Sequence, residues 1–234
     1  MVLSELIQRS PIRIFEQSIN GGLKPGEIGV IASPRGVGKT SVLVQLALDK
    51  LLQGKKVIHV SFHQQTQYVP VWYEDIFTEF IYKKNLENAA EIKSDLVKNR
   101  VLMNFSQDGV TKEQIIKSLR AMIIEGGFKT DLIIIDGFDF KRTSKESIEA
   151  VKTFVTELGV SVWYSCSVGD DGSAYDKENI PVTIESFASS IDVVIILQPK
   201  SNHVELSISK DRGSVISKSM AMELDPKTLL ILEA

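Results

Sequence analysis

Short runs of β-branched and apolar residues alternate with stretches of helical periodicity along most of the chain. Glu27–Ala32, Lys56–Phe62, Val101–Phe105, Leu132–Asp136, Val160–Cys166 and Val193–Leu197 are predicted as strands. The last three are almost unbroken apolar runs (LIIIDG, VSVWYSC, VVIIL), the pattern of central parallel strands covered on both faces. Between them, Lys39–Gln53 sets Val42, Leu43, Leu46, Ala47 and Leu51 at helical spacing, and Gly54 supplies a stop. Glu74–Arg100 predicts two helices with a break near Asn85–Asn88. Thr111-Lys-Glu-Gln114 is a capping box that opens a helix running to Gly126-Gly127, and Thr143-Ser-Lys-Glu146 repeats the device for a helix ending near Gly159. After Leu197 the pattern becomes strand alternation over Val204–Lys210, Ile216–Leu224 and Thr228–Leu232, with turns near Gly213 and at Asp225-Pro226-Lys227. The whole predicts one α/β domain over residues 1–234: a mostly parallel central sheet flanked by helices, with C-terminal antiparallel strands.

Composition narrows this only a little. With 43% hydrophobic and 24% charged residues, the chain is outside the disordered, collagenous and coiled-coil classes. A net charge of −3 provides no overall attraction to nucleic acid or anionic lipid. The single cysteine, Cys166, cannot form an internal disulfide, and no apolar run approaches the ~20 residues that span a bilayer. The first residues, MVLSELIQRS, lack the pattern of a signal peptide. The expectation is a cytoplasmic protein with no membrane partner.

The most informative segment is Ser33-Pro34-Arg35-Gly36-Val37-Gly38-Lys39-Thr40, followed by Ser41. It joins a predicted strand to a predicted helix, where backbone N–H groups can wrap a phosphate chain at the helix N-terminus. Gly36 and Gly38 allow the backbone angles of such a loop, Lys39 can reach β- and γ-phosphates, and the Thr40 hydroxyl can ligate Mg²⁺. Ser33 stands where the motif has its first glycine. Asp136 ends the most apolar strand, so its carboxylate emerges at the edge where open α/β sheets bind ligands and can hold the Mg²⁺ shell; Asp139 ranks second for that role. The nucleotide-binding set is therefore Ser33 to Ser41, with Thr40 and Asp136 on the metal.

With these residues in view, the chain resembles the RecA-like P-loop ATPases of KaiC/RadA type over nearly its whole length. INGGLKPGEIGVIASPRGVGKTSVLVQLALDKLLQGKKVIHVSF is similar to that family's opening, DLIIIDGFD to its Walker B strand and VSVWYSC to its sensor strand. IESFASSIDVVIIL and SISKDRG…MELDPKTLLILEA resemble its closing strands. The resemblance implies an ATP- and Mg²⁺-binding homo-oligomer with nucleotide at the protomer interface. There Lys210 and Arg212, which match a Lys-x-Arg pattern, would act in trans as arginine fingers do; the alternative is that they solvate a hairpin tip.

Two departures bear on activity. The family keeps a glutamate just after its second strand to polarise the attacking water, whereas this chain has Ser61-Phe62-His63-Gln64-Gln65. His63 could accept a proton and Gln64 could orient water, but the substitution predicts slow, atypical or absent turnover; Glu74 and Asp75 come too late in the chain to substitute. Ser165 or Ser167 stands where a γ-phosphate-reading glutamine or histidine is common in the family.

Nucleic-acid binding is disfavoured without being excluded. The loop Ser167–Val182 carries Asp170, Asp171, Asp176 and Glu178 against Lys177, although Lys141 and Arg142 follow the fourth strand, and Met1–Ile19 is too short for an added DNA-binding domain. Tyr68, Trp72 and Tyr73 are expected in the core or an interface. His59 and His63 fall on strand and loop, where a four-residue spacing makes no metal pair, and no structural metal site is readable. Three functions remain: a weakly hydrolysing oligomeric ATPase, a non-hydrolysing nucleotide-responsive module that meets a protein partner, and a recombination-type single-strand binder.

Overall fold

The computed structural model describes residues 7–8, 10–84, 89–106, 111–169 and 174–234. Its core is a nine-stranded sheet in the order β3-β2-β4-β5-β1-β6-β7-β8-β9. The parallel part comprises β1 (Ile28–Ser33), β2 (Val57–Ser61), β3 (Arg100–Asn104), β4 (Leu132–Asp136), β5 (Ser161–Ser167) and β6 (Val193–Pro199). The strands β7 (Val204–Asp211), β8 (Ser214–Leu224) and β9 (Ile231–Glu233) extend it antiparallel. The expected α/β class, with a mostly parallel sheet and C-terminal antiparallel strands, is the one observed. Strands β1, β2 and β4 are buried at every position, which is why their sequences lack an apolar–polar alternation.

Helices cover both faces. On one, Ile31, Ile134 and Trp163 lie beneath α1 (Pro11–Ser18), α2 (Lys39–Leu52) and α3 (Tyr68–Lys84). On the other, Val30, Ile133 and Tyr164 lie beneath α5 (Lys112–Arg120) and α6 (Lys145–Leu158). Helix α4 spans Ala89–Lys98. Among the described residues, no helix is long and apolar enough to cross a membrane.

Several boundaries differ from expectation for identifiable reasons. Helix α1 was not predicted: it has only eight residues and buries Ile12 and Phe15, although Ser10 caps it by accepting from the Ile12 N–H, with Pro11 in its first turn. Helix α3 starts at Tyr68, not Glu74, because its buried stripe of Val69, Tyr73, Ile76 and Phe77 begins there. The expected break at Asn85–Asn88 lies outside the described residues, as do Asp170 and Asp171. The Thr111–Gln114 capping box forms, and α5 continues as a π-helical turn, Ala121–Glu125, before Gly126. The one expected at Thr143–Glu146 does not. Ser144 is the N-cap, and the Thr143 hydroxyl donates to the Asp139 carbonyl at 3.0 Å, held by the 3-10 turn Phe140–Arg142. Strand β9 begins at Ile231 instead of Thr228 because Thr228 is spent in the turn, donating to Asp225 Oδ2 at 2.7 Å.

The topology creates one crevice. The connection from β1 to β2 runs through α2 on one face, whereas that from β5 to β6 passes through the 3-10 turn Val182–Phe187 on the other. Strands β1 and β5 stay paired to their last residues, Ser33 and Ser167, but the segments that leave them turn to opposite faces, and the crevice lies between those segments at the carboxyl ends, where open sheets hold ligands.

Packing near the start of β1 is equally constrained. Gly29 sits beside Trp163, and a Cβ there would come within 2.4 Å of the indole ring. Gly29→Ala is expected to destabilise the fold by about 1–3 kcal/mol through overpacking. The check is a lower urea midpoint with an unchanged denaturant slope.

Candidate functional site

The crevice is entered from the end of β1. Beyond Ser33 the chain turns through Gly36 (φ +78°) and Gly38 (φ +114°) and enters α2 at Lys39. Gly38 is confined as well as twisted, since a Cβ there would strike the Leu224 side chain at 2.3 Å. The Lys39 ammonium folds back over the loop, donating to the Ser33 carbonyl at 2.9 Å, the Ser33 hydroxyl at 3.1 Å and the Pro34 carbonyl at 2.7 Å. The first turn of α2 carries no acidic residue of its own, and its positive end faces the crevice.

Strand β4 brings Asp136 to the same place. Its carboxylate is 2% exposed and accepts from the Thr40 hydroxyl at 2.9 Å. The His63 Nε2 lies 3.6 Å from the same oxygen, and the Ser165 hydroxyl accepts from the Gly137 N–H at 2.8 Å just beside it. Burial alone would raise the Asp136 pKa, but hydrogen bonding to His63, Ser165 and Thr40 outweighs it and holds the carboxyl below its ordinary value. The site thus keeps an anion next to a hydroxyl and an ammonium. Among the described residues, no group of three or more His, Cys, Asp or Glu side chains is arranged to hold a metal. Thr40 and Asp136 instead form an open corner of hard oxygens, the kind that phosphate oxygens and water complete around a magnesium ion.

The cleft measures about 540 Å³ and is lined by Arg35, Gly36, Gly38, Lys39, Thr40, His63 and Asp136 from the expected set. Tyr68, Trp72 and Leu229 also line it. Sequence reading placed the first two in a core or interface and missed Leu229; the only signal was an aromatic pair shortly after β2. Tyr68 stacks on His63 with ring centroids 3.9 Å apart. Other expected residues lie elsewhere. Ser33 is buried beneath the loop, and Val37 packs against the apolar core. The Ser41 hydroxyl points to the Leu229 carbonyl, and Gln64 lines a neighbouring groove with Asn104 and Arg142. A second cavity of about 240 Å³, lined largely by Leu48, Ile76, Phe80 and Leu230, is apolar and separate from this chemistry.

Lys210 and Arg212 are at the opposite end of the sheet. Lys210 pairs with Val194 near the start of β6 and donates to the carbonyls of Ala188 and Ile191. Arg212, in the left-handed region at φ +54°, meets both oxygens of Glu27 at 2.9 Å and donates to the Ile19 and Gly22 carbonyls. Neither meets the crevice of its own chain, and neither merely solvates a hairpin tip.

One strand deeper lies His59, fully buried on β2. Its Nδ1 is 3.2 Å from the Tyr73 hydroxyl and its Nε2 has no partner. The Arg100 guanidinium lies over the Tyr73 ring, 4.1 Å from its centroid. Burial pushes His59 down from 6.5 to about 4, so the imidazole is neutral at neutral pH.

No protein-family model matches the chain, and no curated protein does.

A histidine with a depressed folded-state value takes up its proton more readily in the unfolded chain. Its stabilising contribution is complete above about pH 6.5 and fades as the pH falls toward 4. The loss from this group is expected to approach about 3 kcal/mol. Urea unfolding from neutral pH to about pH 4.5 checks it: the double variant His59→Leu/Tyr73→Phe, which removes both hydrogen-bonding partners, should show a shallower acid decline than the parent.

Proposed function

We propose that the chain binds a magnesium–nucleoside triphosphate, ATP foremost, in this cleft and acts as a RecA/KaiC-like ATPase of weak or atypical turnover. The observation that carries the reading is the convergence of Lys39, Thr40 and Asp136 at the mouth of a glycine-bearing loop, with the carboxylate held ionised. Lysine at that point neutralises phosphate charge, and the helix N-terminus receives phosphate oxygens on its free N–H groups. The donor set fits magnesium: Thr40 and Asp136 would hold it, and the ion supplies charge neutralisation between the phosphates. Tyr68 and Trp72 offer aromatic surface on the same wall of the cleft.

Hydrolysis needs a base, and the carboxylate usual in such enzymes is replaced by His63 and Gln64. His63 is near enough to Asp136 to share its carboxylate, while Gln64 is exposed in the next groove. That arrangement favours slow turnover.

The far-edge cations favour a second reading. As arginine fingers Lys210 and Arg212 would have to reach a nucleotide held by a neighbouring copy, giving up their bonds to Ala188, Ile191 and Glu27. Cations so engaged favour a nucleotide-responsive module, which senses ATP and meets a protein partner without cycling, over an oligomer with fingers already free.

Equilibrium binding of Mg-ATP, with phosphate release followed across a protein concentration series, tests both. Lys39→Ala and Asp136→Asn are expected to weaken binding at least tenfold. Release per protomer that rises with concentration supports the oligomeric ATPase, and release equal to that of Lys39→Ala with ATP still bound supports the module. Absence of binding by the parent chain at millimolar ATP would overturn both.

A further inference from the structure

We infer that His63 supplies an imidazole nitrogen to the metal corner formed by Thr40 and Asp136, so that the site prefers manganese to magnesium. The inference rests on the nucleotide reading above and goes beyond it, since it changes which cation accompanies the nucleotide. The geometry is specific. Thr40 Oγ1 and His63 Nε2 approach the same carboxylate oxygen, Asp136 Oδ2, at 2.9 and 3.6 Å. Two adjacent ligands on an octahedral ion of this size lie about 3 Å apart. The hydroxyl is therefore already at ligand separation from the carboxylate, and the imidazole needs only a closing movement of about half an ångström.

The ring is also aimed. Tyr68 stacks on it with planes 28° apart, and the His63 backbone N–H donates to the Ser61 hydroxyl at 3.2 Å, which anchors the main chain that carries the ring. On the remaining side is Gly137 at φ +79°, where even a Cβ would come within 3.4 Å of Nε2. Nothing larger than glycine's hydrogen stands between that backbone and the nitrogen. His63 is one-third exposed, so the corner is reachable from solvent.

Ligand chemistry gives the preference. Magnesium is the harder ion and keeps to carboxylate, phosphate and water oxygens, whereas manganese shares that oxygen preference but, as a transition ion at the foot of the affinity series, gains more than magnesium does from one imidazole nitrogen among them. Ligation has a further consequence. In the metal-free site Nε2 carries its proton toward Asp136; ligation moves that proton to Nδ1 and puts the Nε2 lone pair on the ion, where it cannot take a proton from water, so a metal-bound His63 is not a general base, in keeping with slow turnover.

The test is pulsed electron paramagnetic resonance on the full chain carrying Mn²⁺ and ADP, prepared once with natural histidine and once with ¹⁵N-histidine. The expected result is a nitrogen coupling that changes with the isotope and disappears in His63→Gln, while the parallel variant His59→Leu retains it. Titrations of the two cations with ADP should show His63→Gln lowering the Mn²⁺-to-Mg²⁺ affinity ratio at least fivefold. Bound Mn²⁺–ADP without a histidine coupling, or an affinity ratio unmoved by His63→Gln, overturns the inference and leaves the nucleotide reading standing. Failure of Mn²⁺–ADP and Mg²⁺–ADP alike to bind overturns both.

Discussion

Asp136 is a carboxylate at the end of a strand whose other four residues are leucine and isoleucine, and it is almost completely withdrawn from water. A charge in that position is tolerable only if its surroundings solvate it. The hydroxyls of Thr40 and Ser165 and the imidazole of His63 do so, and each comes from a different element: the first turn of α2, strand β5 and the loop after β2. The requirement to keep one anion charged thus bears on how the amino end of α2 meets the carboxyl ends of β2, β4 and β5. Lys39 donates to the Ser33 and Pro34 carbonyls and to the Ser33 hydroxyl, which hold its ammonium over the glycine-bearing loop.

The two ends of the sheet use their charges differently. At the carboxyl edge, polar groups converge on an open cleft. At the amino edge, Arg212, Glu27, Lys210 and the carbonyls of Ile19, Gly22, Ala188 and Ile191 tie the β7–β8 hairpin to the segments flanking β1 and β6. Lys152 and Asp192 belong to the same edge, paired at 2.6 Å, with Asp192 also accepting from the Ile28 N–H. Charge at this edge serves register and cohesion, since each partner anchors a strand end in place.

How far the chain could be read in advance follows from how local each signal is. The loop from Ser33 to Thr40, the helix that follows it and the strand ending in Asp136 were legible because each is carried by a pattern within a few neighbouring residues. The partners of Arg212 were not, because Glu27 and Ile19 precede it by 185 and 193 residues and no spacing rule connects them. The capping box at Thr143 was legible but outcompeted by the turn that Asp139 starts. Helix α1 was passed over because eight residues offer too few periods to stand out. Tyr68 belongs with the cleft only because α3 begins a turn and a half sooner than its charged residues suggest. Ser41 shows the reverse: its place after the loop is plain in the sequence, whereas the bond from its hydroxyl to the distant Leu229 carbonyl is not.

That last contact joins two parts of the molecule that sequence keeps far apart. Gln45 on α2 donates to the Leu229 carbonyl and accepts from the Ile231 N–H, Ser41 donates to the same carbonyl, and Leu224 fills the space beside Gly38. The glycine-bearing loop and the last two strands are therefore geared together, with no slack at Gly38 to absorb a change of shape. A change in the shape of the loop would therefore be felt at the outermost strand, which would carry it to the sheet's far rim, outside the cleft.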